Sequence, residues 1–111
     1  MIRSLRAICA ALFVTALASS MAIAADNHIA EAISHTREAV VSGREGKPSE
    51  LVHHATEALH HAMDADKERP EKHIKAAIRR LKEVVKFGEK KRKSATKIAE
   101  RALQELERAP Q

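Results

Sequence analysis

Aromatic side chains are nearly absent from this sequence, which contains two phenylalanines, no tryptophan and no tyrosine. A hydrophobic core must therefore be built from alanine, valine, isoleucine and leucine, and such small aliphatic cores suit closely packed helices better than a sheet. No strand-like alternation of β-branched or aromatic residues persists anywhere. Because the sequence offers so few aromatic rings on which bases could stack, nucleic acid is a poor candidate ligand.

Cysteine and the usual catalytic motifs are also scarce. Cys9 is the only cysteine, and no Cys-x2-Cys-His motif for covalent haem attachment is present. Since Cys9 lies in an N-terminal segment with the pattern of an export signal, the mature protein would have neither disulfides nor thiolate metal ligands. The sequence shows no buried carboxylate pair, no nucleophile beside a base and no glycine-rich phosphate loop. We therefore do not expect an enzyme.

Residues 1–24 have the pattern of a secretory signal peptide. Arg3 and Arg6 form a basic start, an apolar run follows, and an Ala-x-Ala sequence ends the segment. We expect cleavage after Ala24, or as a second choice after Ala25, and a periplasmic location. A retained membrane anchor is the alternative, against which stand a polar break in the apolar run and its alanine-rich composition.

Four amphipathic segments follow, with apolar residues at the three- and four-residue spacing of a helix. The expected helices span residues 26–43, 48–66, 70–88 and 94–109. Asp26 or Asn27 would cap the first helix, and Gly43 and Gly88 would end the first and the third. Short loops between such helices predict an all-α fold, an up-down-up-down antiparallel four-helix bundle in residues 25–111. Its two hairpins would be residues 27–66 and 70–109.

The second hairpin repeats the first at an offset of 45 residues, which becomes 44 after the loop. His28 and Gly43, for example, recur as His73 and Gly88. The charges do not repeat, because residues 26–66 carry a net charge of −5 and the rest of the chain after them carries +8. Other residues replace the remaining histidines of the repeat: Arg80 for His35, Lys97 for His53, Ile98 for His54, Gln104 for His60 and Glu105 for His61.

The second helix is rich in potential metal ligands. Six of its side chains are candidates: His53, His54, Glu57, His60, His61 and Asp64. Its apolar stripe is expected to consist of Val52, Ala55, Leu59, Ala62 and Met63. Beside that stripe, His53 and His60 would flank the core, while His54 and His61 would lie toward solvent. Imidazoles and carboxylates three or four residues apart are neighbours on a helix and bind borderline divalent metals. A solvated, histidine-rich face is the alternative.

The first helix offers a second row of ligands, formed by His28, Glu31, His35 and Glu38 at spacings of three, four and three. We include His28, Glu31 and His35 among the candidate metal ligands. Mixed nitrogen and oxygen ligands beside solvent favour Cu(II), with Ni(II) or Zn(II) as further candidates, and do not indicate a closed tetrahedral zinc site. Whether the two rows face each other depends on the handedness of the bundle, which the sequence leaves open.

The chain resembles the small metal-binding protein family over about residues 27–109. The resemblance begins in the first helix, which reads His28-x2-Glu31-Ala32-Ile33-x-His35-x2-Glu38-Ala39-Val40, followed by Gly43-Arg44-Glu45-Gly46. It implies an exported, histidine-rich four-helix bundle that binds several divalent metals, notably copper. It also places these residues on histidine positions of the family: His28, His35, His53, His54, His60 and His61. The family carries histidine through all four helices, a pattern from which the second hairpin departs.

A cluster of cations near the second hairpin loop indicates another kind of function. Its members are Lys86, Lys90, Lys91, Arg92 and Lys93. They could bind an anionic surface or an acidic partner protein, and the chain would then be an interaction module with reduced or no metal binding. A solvated loop is one alternative, and attraction between the acidic and basic halves, within or between chains, is another. The oligomeric state stays open.

Overall fold

The computed structural model describes the backbone of residues 2–111 and the side chains of residues 23–111. It contains four helices, α1 (Ile2–Arg44), α2 (Pro48–Glu68), α3 (Lys72–Glu89) and α4 (Ser94–Arg108). α1 and α3 each pack against both α2 and α4. Helices that follow one another in the chain are therefore neighbours in space, which confirms the all-α, up-down-up-down four-helix bundle.

The first helix begins far earlier than the expected cap at Asp26 or Asn27, because α1 is continuous from Ile2. The sequence between these points has no proline or glycine, the residues that interrupt helices. Side chains are described from residue 23 onward, so most of the predicted signal peptide lies outside the described side chains. Its cleavage stays a prediction. Within residues 23–111, the range over which side chains are described, no helix is both long and apolar enough to cross a membrane.

Within residues 23–111, the buried positions of the four helices recur mostly at spacings of four and three residues, as in the seam of a coiled coil. In α2 these positions are Leu51, Ala55, Ala58, Ala62 and Ala65. In α4 they are Ala95, Ala99, Ala102 and Leu106. We letter the seven-residue repeat a to g, with a and d buried and with Ile29, Ala55, Ile74 and Ala99 at position a. Alanine at most of these positions lets the helix backbones approach closely.

The apolar stripe of α2 differs from the expected one. Met63 is 38% exposed, and Val52 and Leu59 pack against the core only as half-buried side chains. Our expectation was wrong because it gave weight to the large aliphatic residues, whereas alanines and Leu51 occupy the centre of the interface. The true stripe is rotated by about one residue, which changes the direction of every polar side chain on this helix.

Both hairpin loops close with the same hydrogen-bond pattern at the helix end, a Schellman motif. In the first loop Gly46 N–H donates to Gly43 O, Lys47 N–H donates to Ser42 O, and Gly46 has a φ of 73°. In the second loop the residue with positive φ is Lys91, at 55°. The glycines predicted to end the helices, Gly43 and Gly88, therefore lie inside them.

Gly43 and Gly88 serve a packing role instead. A Cβ added to Gly43 would lie 2.8 Å from Leu51 Cδ1, and one added to Gly88 would lie 2.9 Å from Leu51 Cδ2. Both distances are too short for carbon atoms in contact. The repeated glycines thus make room for one leucine side chain of α2 between α1 and α3.

Candidate metal centre

Two rows of polar side chains meet in the groove between α1 and α2. They occupy position g, immediately before each a position: His28 and His35 on α1, and His54, His61 and Glu68 on α2. Position e on the other side of the core carries aliphatic residues such as Ile33, Leu59 and Ile78. The hairpins therefore pack on each other through apolar side chains, and the polar rows converge within the first hairpin.

At the end of the groove away from the first loop, two imidazoles are in direct contact. His28 Nδ1 lies 3.1 Å from His61 Nδ1. With metal–nitrogen bonds of about 2.0–2.1 Å, two imidazole ligands of one ion lie roughly 3 Å apart, so this spacing suits a shared ion. His61 also stacks on His35, with 5.7 Å between ring centroids and 7° between ring planes. Glu68 Oε1 lies 3.9 Å from His28 Nε2.

Nearer the first loop, Glu38 reaches two imidazoles. Its Oε2 atom lies 2.8 Å from His54 Nδ1 and 3.5 Å from His35 Nδ1. Neither contact has the angles of a hydrogen bond, so both buried nitrogens lack a hydrogen-bond partner among the described residues. A buried polar atom without a partner costs about 1–3 kcal/mol. A divalent cation would satisfy both nitrogens, and the carboxylate would balance part of its charge.

These side chains form two groups whose ligand atoms all lie within 4.8 Å of one another. The first group is Glu31, His35 and His61, and the second is His35, Glu38 and His54. His35 belongs to both groups and lies between them. Each group offers two imidazole nitrogens and one carboxylate oxygen, which suits copper, nickel or zinc and leaves coordination positions for water.

The four histidines of α2 take positions opposite to those expected. His54 and His61 are half-buried in the groove, whereas His53 and His60 are exposed. The expectation was wrong because the core stripe of α2 is rotated, which puts His53 and His60 at position f, opposite the core. His53 retains a ring contact with His54, at 5.3 Å between centroids, but neither His53 nor His60 belongs to the two groups of ligands.

Two predicted acidic ligands lie outside the two groups, and two acids in the groove were not among our candidate ligands. Glu57 and Asp64, both predicted ligands, are half-buried on α2 and belong to neither group. Glu38 was in the helix-1 row but outside our candidate set, and Glu68 was missed altogether. The signal for Glu68 was available, because it continues the seven-residue spacing of His54 and His61.

The matching groove between α3 and α4 contains a hydrogen bond between an imidazole and a carboxylate. His73 Nδ1 lies 2.8 Å from Glu105 Oε2, and these residues match His28 and His61 in the repeat. The hydrogen bond from His73 lowers the pKa of the Glu105 carboxyl, and the positive charges of His73, Arg108 and Arg80 lower it further against the effect of burial. Arg80 matches His35. A permanent cation therefore occupies the place where the first hairpin offers a lone pair.

The cations predicted around the second loop divide between two places. Lys86 lies on the outer face of α3, whereas Lys91, Arg92 and Lys93 line an open pocket at the end of the bundle together with Lys47 of the first loop. Lys90 is exposed beside them. A hydrogen bond with Glu45 raises the pKa of Lys47.

Comparison with known proteins places nearly the whole chain in one family. Residues 3–109 match a family model described as small metal-binding protein. No curated protein matches the chain. The match includes both hairpins, so the second hairpin fits the family pattern although His73 is its single histidine.

Proposed function

The chain belongs to the small metal-binding protein family, and we propose that it is an exported protein that buffers or sequesters divalent transition metals, with Cu(II) preferred. The metal is its cargo, and its role is binding instead of catalysis. The ions bind along the groove between α1 and α2, in what we call the histidine seam. This seam consists of His28, Glu31, His35, Glu38, His54 and His61.

One observation carries the proposal: the seam brings three potential ligand atoms within 4.8 Å of one another twice. The buried nitrogens of His35 and His54, which have no hydrogen-bond partner among the described residues, fit an ion at this place. The side chains of His35 and His54 are 26% exposed, so an ion reaches them without unfolding of the helices. Such access suits reversible storage.

Copper is the preferred ion on chemical grounds. Imidazole-rich sites follow the usual divalent order, in which Cu(II) binds more tightly than Ni(II) or Zn(II). Nothing in the groove imposes the closed tetrahedral shell of a structural zinc site, because each group supplies three protein ligands beside solvent.

Export is the other part of the proposal. Ala25 is fully buried, and Asp26 forms an ion pair with Arg69 at 2.8 Å. Both cleavage sites would keep Asp26, but only cleavage after Ala24 would keep the buried Ala25. We therefore prefer cleavage after Ala24. Intact mass spectrometry of the protein from the periplasm should give a chain that begins at Ala25, and retention of residues 1–24 would contradict export by cleavage.

Adjacent histidines in α2 provide a matched test of the metal site. His54→Gln with His61→Gln removes two nitrogens of the seam and should weaken Cu(II) binding on the order of 100-fold. His53→Gln with His60→Gln removes two exposed imidazoles from the same helix and should change it less than about threefold. Isothermal titration calorimetry with Cu(II), Ni(II) and Zn(II) measures both variants, and circular dichroism checks their helicity.

Two outcomes would overturn the assignment. Equal losses in the two variants would place the metal on the polar surface of α2 as a whole, through pairs such as His53 and Glu57. A larger loss in the His53 and His60 variant would place it on the outer face. If the unaltered chain bound none of Cu(II), Ni(II) and Zn(II), the proposed function itself would fail.

A further inference from the structure

The outer face of α3 carries an unbroken row of positive charges, formed by Lys72, Lys75, Arg79, Lys82 and Lys86. All five side chains are exposed and occupy positions f and b, opposite the core. At 1.5 Å per residue the row is about 21 Å long. We call it the α3 cationic row.

Little of this charge is neutralised within the chain. Among the described residues, Lys75 alone of the five has a carboxylate partner, Asp66, at 2.9 Å. Glu83 lies beside the row and Glu89 follows it, but neither forms an ion pair with it in the described part of the chain. Like charges three or four residues apart destabilise a helix by roughly 0.2–0.5 kcal/mol per pair. The row therefore costs stability that a mixed surface would not.

We propose that the α3 cationic row docks the protein on an anionic lipid bilayer. A planar surface brings all five charges of a straight row close to anionic headgroups at once, and each Lys or Arg near such a surface contributes about 1 kcal/mol. Among the described residues, none of the exposed large hydrophobic side chains lies on α3. Protein interfaces have cores that are enriched in such residues and depleted in lysine, so an acidic protein is the less suitable partner.

The position of α3 leaves the histidine seam accessible in the docked state. α1 packs against α2 and α4, so it lies diagonally across the bundle from α3. The seam, on the α1 side of α2, does not share residues with the row. Docking and metal binding are thus independent properties of one molecule.

Vesicle binding of the full chain tests the proposal. The probe is a vesicle of phosphatidylglycerol and phosphatidylcholine in equal parts. A vesicle of pure phosphatidylcholine is the reference, because binding to it measures any contribution from the apolar N-terminal segment. The ratio of the two affinities should fall on the order of 100-fold in Arg79→Gln/Lys82→Gln/Lys86→Gln. A control variant with the same net charge, Lys67→Gln/Lys97→Gln/Arg101→Gln, alters exposed cations on α2 and α4 and should fall less than about threefold. Sodium chloride should release the bound protein.

Three results would overturn the proposal. Equal losses in the two variants would show that net charge decides, without a docking face. Equal affinity of the unaltered chain for the two kinds of vesicle would exclude a role for anionic headgroups. Binding to poly-glutamate that exceeds binding to the anionic vesicles, with sensitivity to the α3 variant, would assign the row to an acidic polypeptide. None of these results depends on metal binding, and the α3 variant and its control should bind metal as the unaltered chain does.

Discussion

At the scale of the residue, the position within the seven-residue repeat decides what a histidine does. One residue of helix turns a side chain by about 100°, so His54 points into the groove while its neighbour His53 is exposed. Position is not sufficient, however. His28 and His73 occupy the same position in the two hairpins, but His28 contacts another imidazole and His73 contacts a carboxylate. The second side chain is already satisfied.

The hydrogen bond between His73 and Glu105 should make the stability of the protein depend on pH. Because folding lowers the pKa of Glu105, its contribution is complete above the pKa of the unfolded chain and is lost as the pH falls through the folded pKa. Glu105→Gln should therefore lower the free energy of unfolding by roughly 1 kcal/mol at pH 6. The difference from the unaltered protein should disappear at acidic pH. Urea titrations between pH 6 and 3 measure it.

Glu83→Gln is the control for this prediction. Glu83 is exposed on α3, and it takes part in no ion pair among the described residues. Its replacement should leave the pH dependence of stability unchanged. A difference between Glu105→Gln and the unaltered protein that stayed constant down to pH 3 would show that packing, and not the charge of Glu105, is responsible.

At the scale of the element, the sequence was sufficient for the number, order and pairing of the helices. Their periodicity and the prolines and glycines between them predict four segments and two hairpins. The start of α1 was wrong because a capping residue does not begin a helix when helix formers precede it without a break. The roles of Gly43 and Gly88 were also wrong, since a close contact with Leu51 depends on the distance between helices, which is a tertiary property.

The second loop offers a test of the helix-end motif. Lys91 has a φ of 55°, a conformation that costs an L-residue about 1 kcal/mol and glycine nothing. Lys91→Gly should therefore stabilise the protein by up to about 1 kcal/mol, measured by urea denaturation or by melting temperature. At the matching position Gly46→Ala should destabilise it by a similar amount.

A neighbouring residue provides the control for the loop. Lys90 has a φ of −84°, which suits any L-residue, so Lys90→Gly should not stabilise the protein. Stabilisation by Lys90→Gly equal to that by Lys91→Gly would mean that lost positive charge is the cause. Gly88→Ala should destabilise by about 1–3 kcal/mol, because the added Cβ would lie 2.7 Å from Val52 Cγ2.

At the scale of the whole molecule, the two hairpins share a backbone plan and differ in the chemistry of their grooves. The family was predictable from the sequence, and so were five of the six residues of the proposed histidine seam, because residue types and spacings are local. The convergence of His35 with His54 and His61 was not, since it depends on which sides of α1 and α2 face each other. The register of the buried alanines contains this information, but the larger aliphatic residues of α2 suggest a different stripe.

The repeat predicts how to build a second metal site. Glu31, His35 and His61 correspond to Ala76, Arg80 and Glu105 at the offsets of 45 and 44. Ala76→Glu/Arg80→His/Glu105→His would replace the cation and the satisfied carboxylate of the α3–α4 groove with the ligand set of the first group. The bundle would hold the new side chains at equivalent positions. Calorimetry should then show about one additional Cu(II) ion per chain.

Lys97→His/Gln104→His is the control. It adds two imidazoles at the counterparts of the exposed His53 and His60, and should add no ion of comparable affinity. An equal gain in both variants would mean that histidine content, and not convergence in a groove, determines how much metal this fold holds.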